Sequence, residues 1–218
     1  MDQSSPHLQV TEIFHSIQGE STFVGQPCVF VRLTGCPLRC TWCDTAYAFS
    51  GGKQMTVNAI IQEVQRYQSP LVEITGGEPL DQPETFNLIS QLCDQPLTVL
   101  LETGGAIDIA PVDRRAHVIL DVKCPGSGMT DRMHWANLER LTEKDEAKFV
   151  IKDRLDYDWA VDVVRQYQLS DRCVVLFSPV FGELSLQSLA EWILQDRLPI
   201  RFQIQLHKYI WDPQMRGV

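Results

Sequence analysis

Three cysteines fall within the run Cys36-Pro37-Leu38-Arg39-Cys40-Thr41-Trp42-Cys43, a CxxxCxxC spacing. Three thiolates on one short loop can hold three irons of a [4Fe–4S] cube and leave the fourth iron without a protein ligand. An iron left open is a place for a second molecule to bind. The competing reading is structural zinc, which takes four closed ligands, and no neighbouring Cys-x-x-Cys or His pair supplies the fourth. The other four of the seven cysteines, Cys28, Cys93, Cys124 and Cys173, lie far apart among apolar residues or in loops. Free cysteine is often simply a small buried hydrophobe, so these four are expected to be inert.

A second motif, Thr75-Gly76-Gly77-Glu78-Pro79, completes the apolar run Leu71–Thr75. Two glycines let a ligand's polar end approach backbone groups at the C-terminal end of a strand. Alone, the motif is equally a strand–turn–helix link with Pro79 as a helix-start signal. Glu102-Thr103-Gly104 follows Leu97–Leu101, and Asp121-Val122-Lys123 closes Val118–Val122. Polar groups at strand C-termini point toward the face where barrel active sites form. A Glu–Lys ion pair across the sheet end is the plainer alternative. In Val29–Leu33, Arg32 shares a face with Phe30, opposite Val29, Val31 and Leu33. A guanidinium in a buried strand needs an anion, either a ligand carboxylate or a protein acid such as Glu20.

The cysteine spacing resembles the signature of the radical S-adenosylmethionine superfamily, in which the methionine amino and carboxylate groups chelate the open iron. Thr75–Pro79 resembles that superfamily's GGEP motif. The resemblance implies that Trp42 packs near the adenine, that Gly76, Gly77 and Glu78 receive the cofactor's amino group, and that Glu102, Lys123 and Ser127 touch its ribose and carboxylate. An ordinary aromatic capping the core is the alternative for Trp42.

The frames Gln18-Gly19-Glu20-Ser21, Val31-Arg32-Leu33-Thr34-Gly35-Cys36 and Asp44-Thr45 closely resemble the 7-carboxy-7-deazaguanine synthase family of the 7-deazapurine (queuosine) pathway. The similarity runs from about Thr11 to Gln205-Leu206-His207-Lys208. It implies a lyase that converts 6-carboxy-5,6,7,8-tetrahydropterin to 7-carboxy-7-deazaguanine with loss of ammonia. A reduced cluster would cleave S-adenosylmethionine to a 5′-deoxyadenosyl radical that takes hydrogen from carbon 6 of the pterin. It further implies magnesium (Mg2+), an electron donor such as flavodoxin or ferredoxin, and a homodimer. Carried over residue by residue, Gln18, Glu20, Arg32, Thr75 and His207 contact the pterin, His207 from the last strand, and Thr45 gives a hydroxyl to magnesium. Turn residues for Gln18, Glu20 and Thr45 and a surface histidine for His207 are the bland readings. The tail Tyr209–Val218 is not matched to the substrate-contacting C-termini of the family, and no role is assigned to it. Two rivals remain: an activase that abstracts a glycine hydrogen from a large partner protein, and a noncatalytic zinc-binding module.

The positioning elements follow from pattern. Apolar runs at Val29–Leu33, Leu71–Thr75, Leu97–Glu102, Val118–Val122, Ala147–Ile151, Val174–Phe177 and Ile200–Leu206 predict buried strands. Helical periodicity marks Thr56–Tyr67, Gln82–Cys93, Tyr157–Gln168 and Leu186–Gln195. Thr11–Gly19 is expected to add an antiparallel edge. Alternating strands and helices predict an α/β parallel sheet. A chain of 218 residues is short for a full eight-unit barrel of ~250 residues, so a partial (β/α) barrel of about six units, a radical S-adenosylmethionine core, fits better. No repeat or linker divides the chain, and one domain spanning residues 1–218 is expected. With 19 basic against 28 acidic residues the net charge is −9, which disfavours nucleic acid as a partner. The N-terminal Met-Asp-Gln-Ser-Ser-Pro-His has no leader-like pattern and no apolar run would span a bilayer, so no membrane association and a cytoplasmic location are expected.

Overall fold

The computed structural model describes residues 6–218; the first five, which carry most of the leader reading, lie outside them. Nine strands form: β1 (His7–Ile17), β2 (Pro27–Leu33), β3 (Lys53–Thr56), β4 (Leu71–Gly76), β5 (Thr98–Thr103), β6 (His117–Val122), β7 (Glu146–Ile151), β8 (Val174–Pro179) and β9 (Arg201–Phe202). They make one sheet in the order β3-β1-β2-β4-β5-β6-β7-β8-β9. β1 pairs antiparallel with both β2 and β3, and every neighbouring pair from β2 to β9 is parallel. The sheet stays open between its edges, β3 and β9. The result is the partial (β/α) barrel expected of a radical S-adenosylmethionine core.

Five helices accompany it: α1 (Val57–Arg66), α2 (Glu84–Cys93), α3 (Arg154–Gln166), α4 (Leu186–Asp196) and the short α5 (His207–Ile210). Alternation along each strand divides its side chains between two faces. Val31, Ile74, Leu101, Leu120 and Phe149 point outward, into a core shared with Val57, Ile60, Ile61 and Val64 of α1. Phe14, Phe30, Leu71, Leu100 and Ile119 point inward and form a separate apolar floor, with the Phe14 and Phe30 rings stacked 5.0 Å apart. The Thr56 hydroxyl accepts the Ala59 N–H and starts α1, a cap that contributes about 1 kcal/mol. Ile60 is fully buried, and truncation to Ala would cost about 2–5 kcal/mol.

The structure corrects several sequence expectations. β1 reaches from His7 to Ile17 and is not the edge, because Lys53–Thr56 pairs with its first half; those four residues are too short and polar to announce a strand. α3 begins at Arg154, where the Asp153 carboxylate accepts the Asp156 N–H, although exposed Leu155 breaks the helical pattern there. α2 begins at Glu84, with Pro79–Asp81 forming a separate 3-10 turn. The β5–β6 and β6–β7 connections carry no α-helix. The largest correction is the last strand, expected over Ile200–Leu206 and reduced to Arg201–Phe202. After Phe202 the chain turns across the open end of the barrel. The Gln203 side chain donates to the Ser21 carbonyl at 2.8 Å, and the Leu206 N–H donates to the Gly19 carbonyl at 2.9 Å.

Candidate active site

Above the apolar floor the inward face becomes charged. Arg32 lies opposite Thr75 and Asp121 opposite Lys148; with Glu73 and Glu102 they ring a cavity of about 710 Å³. Cys36, Cys40 and Cys43, on the loop leaving β2, line the same cavity. All three thiols are free and half-buried. The loop is fastened from outside the cavity, where Thr41 donates through its N–H to the Ser127 carbonyl at 3.1 Å and through its hydroxyl to the Gly126 carbonyl at 2.9 Å. A Cβ at Gly77 would press on the Gly35 carbonyl and lie 2.6 Å from the Cys36 Cβ. Only glycine there lets the end of β4 meet the cysteine loop.

These residues fit a cube in which each thiolate takes its own iron. Among the described residues no three His, Cys, Asp or Glu side chains are placed to hold a single metal ion, as structural zinc would need. Cys28 and Cys124 are fully buried, Cys173 nearly so, and Cys93 half-buried, away from the cavity. Burial pushes the Cys93 thiol up to about 11 and that of Cys173 up to about 12, which suits inert thiols.

Gln18, Glu20, Arg32, Thr75 and His207 all line the cavity, as do Trp42, Thr45, Gly76, Gly77, Glu102 and Lys123. Gln18 is locked in one orientation: its Oε1 accepts the Glu20 N–H at 3.0 Å and its Nε2 donates to Glu73. The Thr45 hydroxyl caps no turn, and Trp42 packs at the cavity wall, outside the core. His207 opens α5 and does not end a strand, correcting the expected placement. It reaches the cavity because a Cβ at Gly19 would collide with its ring. The next residue, Lys208, holds Asp44 at 2.6 Å, tying α5 to the segment after Cys43.

Two expected cofactor residues turn away. Glu78 is fully buried; its carboxylate accepts the Leu80 N–H at 3.1 Å, the Thr103 hydroxyl at 2.8 and 2.9 Å, and the Gly104 N–H at 2.8 Å. It knits the ends of β4 and β5 together and is not a cavity wall. The Ser127 hydroxyl donates to the Cys124 carbonyl at 2.6 Å and likewise lies off the cavity. The ion pairs also differ from expectation. Lys123 pairs with Asp121 at 3.0 Å, Glu102 pairs with Lys148, and the protein acid on Arg32 is Glu12, not Glu20.

Residues 30–191 match the family model described as the Radical SAM superfamily. The chain is similar to the 7-carboxy-7-deazaguanine synthase of Chlorobaculum tepidum, at 49% identity over 97% of each chain. It is also similar to the synthase of Koribacter versatilis, at 44% identity over 97% of this chain and all of that one. The chain belongs to the 7-carboxy-7-deazaguanine synthase family. Its fold is also that of QueE from Escherichia coli, with a TM-score of 0.77 over 92% of this chain and 95% of that one at 21% identity. Membership in the radical SAM superfamily brings one [4Fe–4S] cluster and S-adenosylmethionine, and an enzyme acting on a small molecule with a reductant. Among the described residues no helix is long and apolar enough to cross a membrane.

Three parts of the cavity wall carry no expectation from the sequence: Glu73, Lys148 and the tail. Glu73 interrupts the apolar run Leu71-Val72-Glu73-Ile74, and Lys148 interrupts Ala147-Lys148-Phe149. Both carry the signal that exposed Arg32, a charge inside a strand buried on both faces. The tail gave no such signal, yet residues 213–218 line the cavity, and the Arg216 guanidinium lies 4.1 Å from the centre of the Tyr47 ring.

Burial and nearby Glu102 hold the Glu73 carboxyl well above the ordinary carboxylate range. Burial also raises the Glu20 carboxyl, but Lys148 and His207 more than reverse this and leave it lowered. Burial lowers the His207 imidazole, and Glu20 and Asp44 only partly offset it. The cavity therefore sets Glu73, which holds its proton beyond the ordinary carboxylate range, beside Glu20, which gives its proton up more readily, and His207, whose imidazole resists charging.

Proposed function

We propose that this chain converts 6-carboxy-5,6,7,8-tetrahydropterin to 7-carboxy-7-deazaguanine with loss of ammonia, acting as a radical lyase of 7-deazapurine biosynthesis. The observation that carries this reading is the cavity itself. The three-cysteine loop and the Gly76-Gly77 turn lie on one wall, with Gln18, Glu20, Arg32 and His207 around the same space.

When bound, the reduced cluster and S-adenosylmethionine supply the radical that removes a hydrogen from the substrate. Cys36, Cys40 and Cys43 would hold the cluster. Trp42, Gly76, Gly77, Glu102 and Lys123 would hold the cofactor, with Glu78 and Ser127 supporting it from behind the wall. The rest of the chain binds and orients the pterin. Gln18, its amide orientation fixed, and ionised Glu20 suit the N–H-rich edge of a pterin. Arg32, whose two terminal nitrogens have no protein acceptor among the described residues, suits its carboxylate. Thr75 and the neutral His207 complete the pocket. The Thr45 hydroxyl, an oxygen donor beside Cys43, suits magnesium, a hard cation that takes oxygen ligands and keeps waters. The setting is cytoplasmic, with a flavodoxin or ferredoxin as electron donor and a homodimer as the working form.

The test is anaerobic: the reconstituted, chemically reduced protein is incubated with S-adenosylmethionine, magnesium and the carboxypterin, and products are identified by mass spectrometry. The deazaguanine with 5′-deoxyadenosine is expected. Cofactor cleavage that never yields the deazaguanine would instead favour an activase.

A further inference from the structure

Lys148 stands at the centre of the charged ring. Its side chain is 4% exposed, and its ammonium meets Glu20 at 2.5 Å, Glu102, and Asp121 at 3.6 Å. These acids come from three elements: the segment after β1, β5 and β6. An ammonium has three donors and no acceptor. Glu20 and Glu102 each accept one of these protons and Asp121 stands at ion-pair distance, so Lys148 is held by its carboxylate partners and acts through them.

Each of those partners makes a second contact. The other oxygen of Glu20 accepts from the Gln205 amide at 2.8 Å, and that of Glu102 accepts from the Thr75 hydroxyl at 3.3 Å. Asp121 also holds Lys123 at 3.0 Å. On the reading above, Glu20 and Thr75 lie on the substrate side and Glu102 and Lys123 on the cofactor side. The two sides touch through the Thr75–Glu102 hydrogen bond and, more closely, through the buried ammonium that pairs with carboxylates of both.

We propose that Lys148 is a positioning residue that links the two subsites, so that occupation of one pre-orders the other and the substrate and S-adenosylmethionine bind cooperatively. The link is one of ordering. The first ligand fixes its own carboxylate, the shared ammonium fixes the opposite one, and the second ligand meets a site already arranged. Coupling of this kind is reciprocal: the factor by which cofactor tightens pterin equals the factor by which pterin tightens cofactor.

The experiment is equilibrium titration of the cluster-loaded, oxidised protein, which binds both ligands without turnover. Carboxypterin is titrated by calorimetry with and without saturating S-adenosylmethionine, and the reverse. A coupling ratio of about tenfold is expected in the wild type, and a ratio near one in Lys148→Met with iron content unchanged. If Lys148→Met does not fold with Glu20 and Glu102 left without their cation, Glu102→Gln/Lys148→Met removes one charge of each sign, and its ratio is also expected near one. A wild-type ratio of one, or a wild-type ratio preserved in either variant, overturns the proposal. Because the proposal rests on the assignment of sides, Glu20→Gln is measured in parallel. If Glu20→Gln leaves pterin affinity untouched, the assignment has failed, whereas weakened pterin binding beside an unaltered coupling ratio in Lys148→Met rejects the link alone.

Discussion

Glu12 and Arg32 face each other across the antiparallel β1–β2 pair, the Arg32 Nε donating to Glu12 Oε1 at 2.9 Å. The Tyr47 hydroxyl donates to the same oxygen at 2.8 Å, and the guanidinium lies 5.7 Å from the centre of the Phe14 ring. One edge of the fork is therefore used to orient Arg32, and the opposite edge is left toward the cavity.

Arg32→Lys keeps the charge and loses the fork. Pterin binding should weaken by about 2 kcal/mol, the loss of a charge-assisted bond, while cluster content and uncoupled cofactor cleavage persist. Glu12→Gln should weaken binding less, since it loosens the orientation and leaves the free edge in place. Titration of both variants checks this, and a Glu12→Gln effect equal to that of Arg32→Lys would make the pair purely structural.

Cys40→Ala should abolish the cluster, because each thiolate has its own iron to hold and no other cysteine lines the cavity. Cys93→Ala and Cys173→Ala should leave iron and sulfide at wild-type levels; the second, in a buried site, costs about 1 kcal/mol of stability by the methylene rule. Iron and sulfide analysis after anaerobic reconstitution decides, and a full, active cluster in Cys40→Ala would sink the central assignment.

Thr45→Ala should shift the magnesium response to concentrations about tenfold higher, as loss of one oxygen ligand from a water-rich ion implies. Superimposable magnesium curves for variant and wild type would return Thr45 to an ordinary turn position.

Glu73→Gln should change how stability depends on pH. Native Glu73 keeps its proton to higher pH than the unfolded chain does, so stability declines as pH rises from the ordinary carboxylate range toward the raised native value. Glutamine has no proton to lose and still faces the Gln18 amide. Urea unfolding at pH 5 and pH 8 should show the variant gaining on the wild type at the higher pH. A constant difference between the two proteins at both pH values would show that Glu73 is already ionised.

The residues that announce themselves in the sequence are those whose neighbours in the chain are also their neighbours in space. The cysteine run, the Gly76-Gly77 turn and the helices with caps such as Thr56 are local, and the strands are legible because burial on both faces makes them continuously apolar. His207 was expected on a strand because apolar Ile200, Phe202, Ile204 and Leu206 alternate with polar residues there. What overrides that pattern is the hydrogen bonding of Gln203 and Leu206 to residues near the other end of the chain, which propensity does not see. Glu12 as the partner of Arg32 was hidden in the same way, because it depends on the irregular register of β1 after Val10. The tail was illegible because its contacts, such as Arg216 on Tyr47, are made to a surface that exists only once the barrel has formed.

The seam across the open end of the barrel bears on the order in which the protein assembles. Gln203 reaches Ser21 over 182 residues of chain and Gln205 reaches Glu20 over 185, whereas β2, β4, β5 and β6 each pair with the next parallel strand along the chain. Contacts of such sequence separation form late in folding, after the loop-closure entropy has been met. The same contacts are expected to open in the native state as one unit smaller than global unfolding. Amide hydrogens of Gln18–Gln26 and Gln203–Ile210 should therefore exchange together and ahead of β4–β6. The part of the pterin-facing wall made by Gln18, Glu20 and His207 is then expected to open before the part made by Arg32 and Thr75 on β2 and β4.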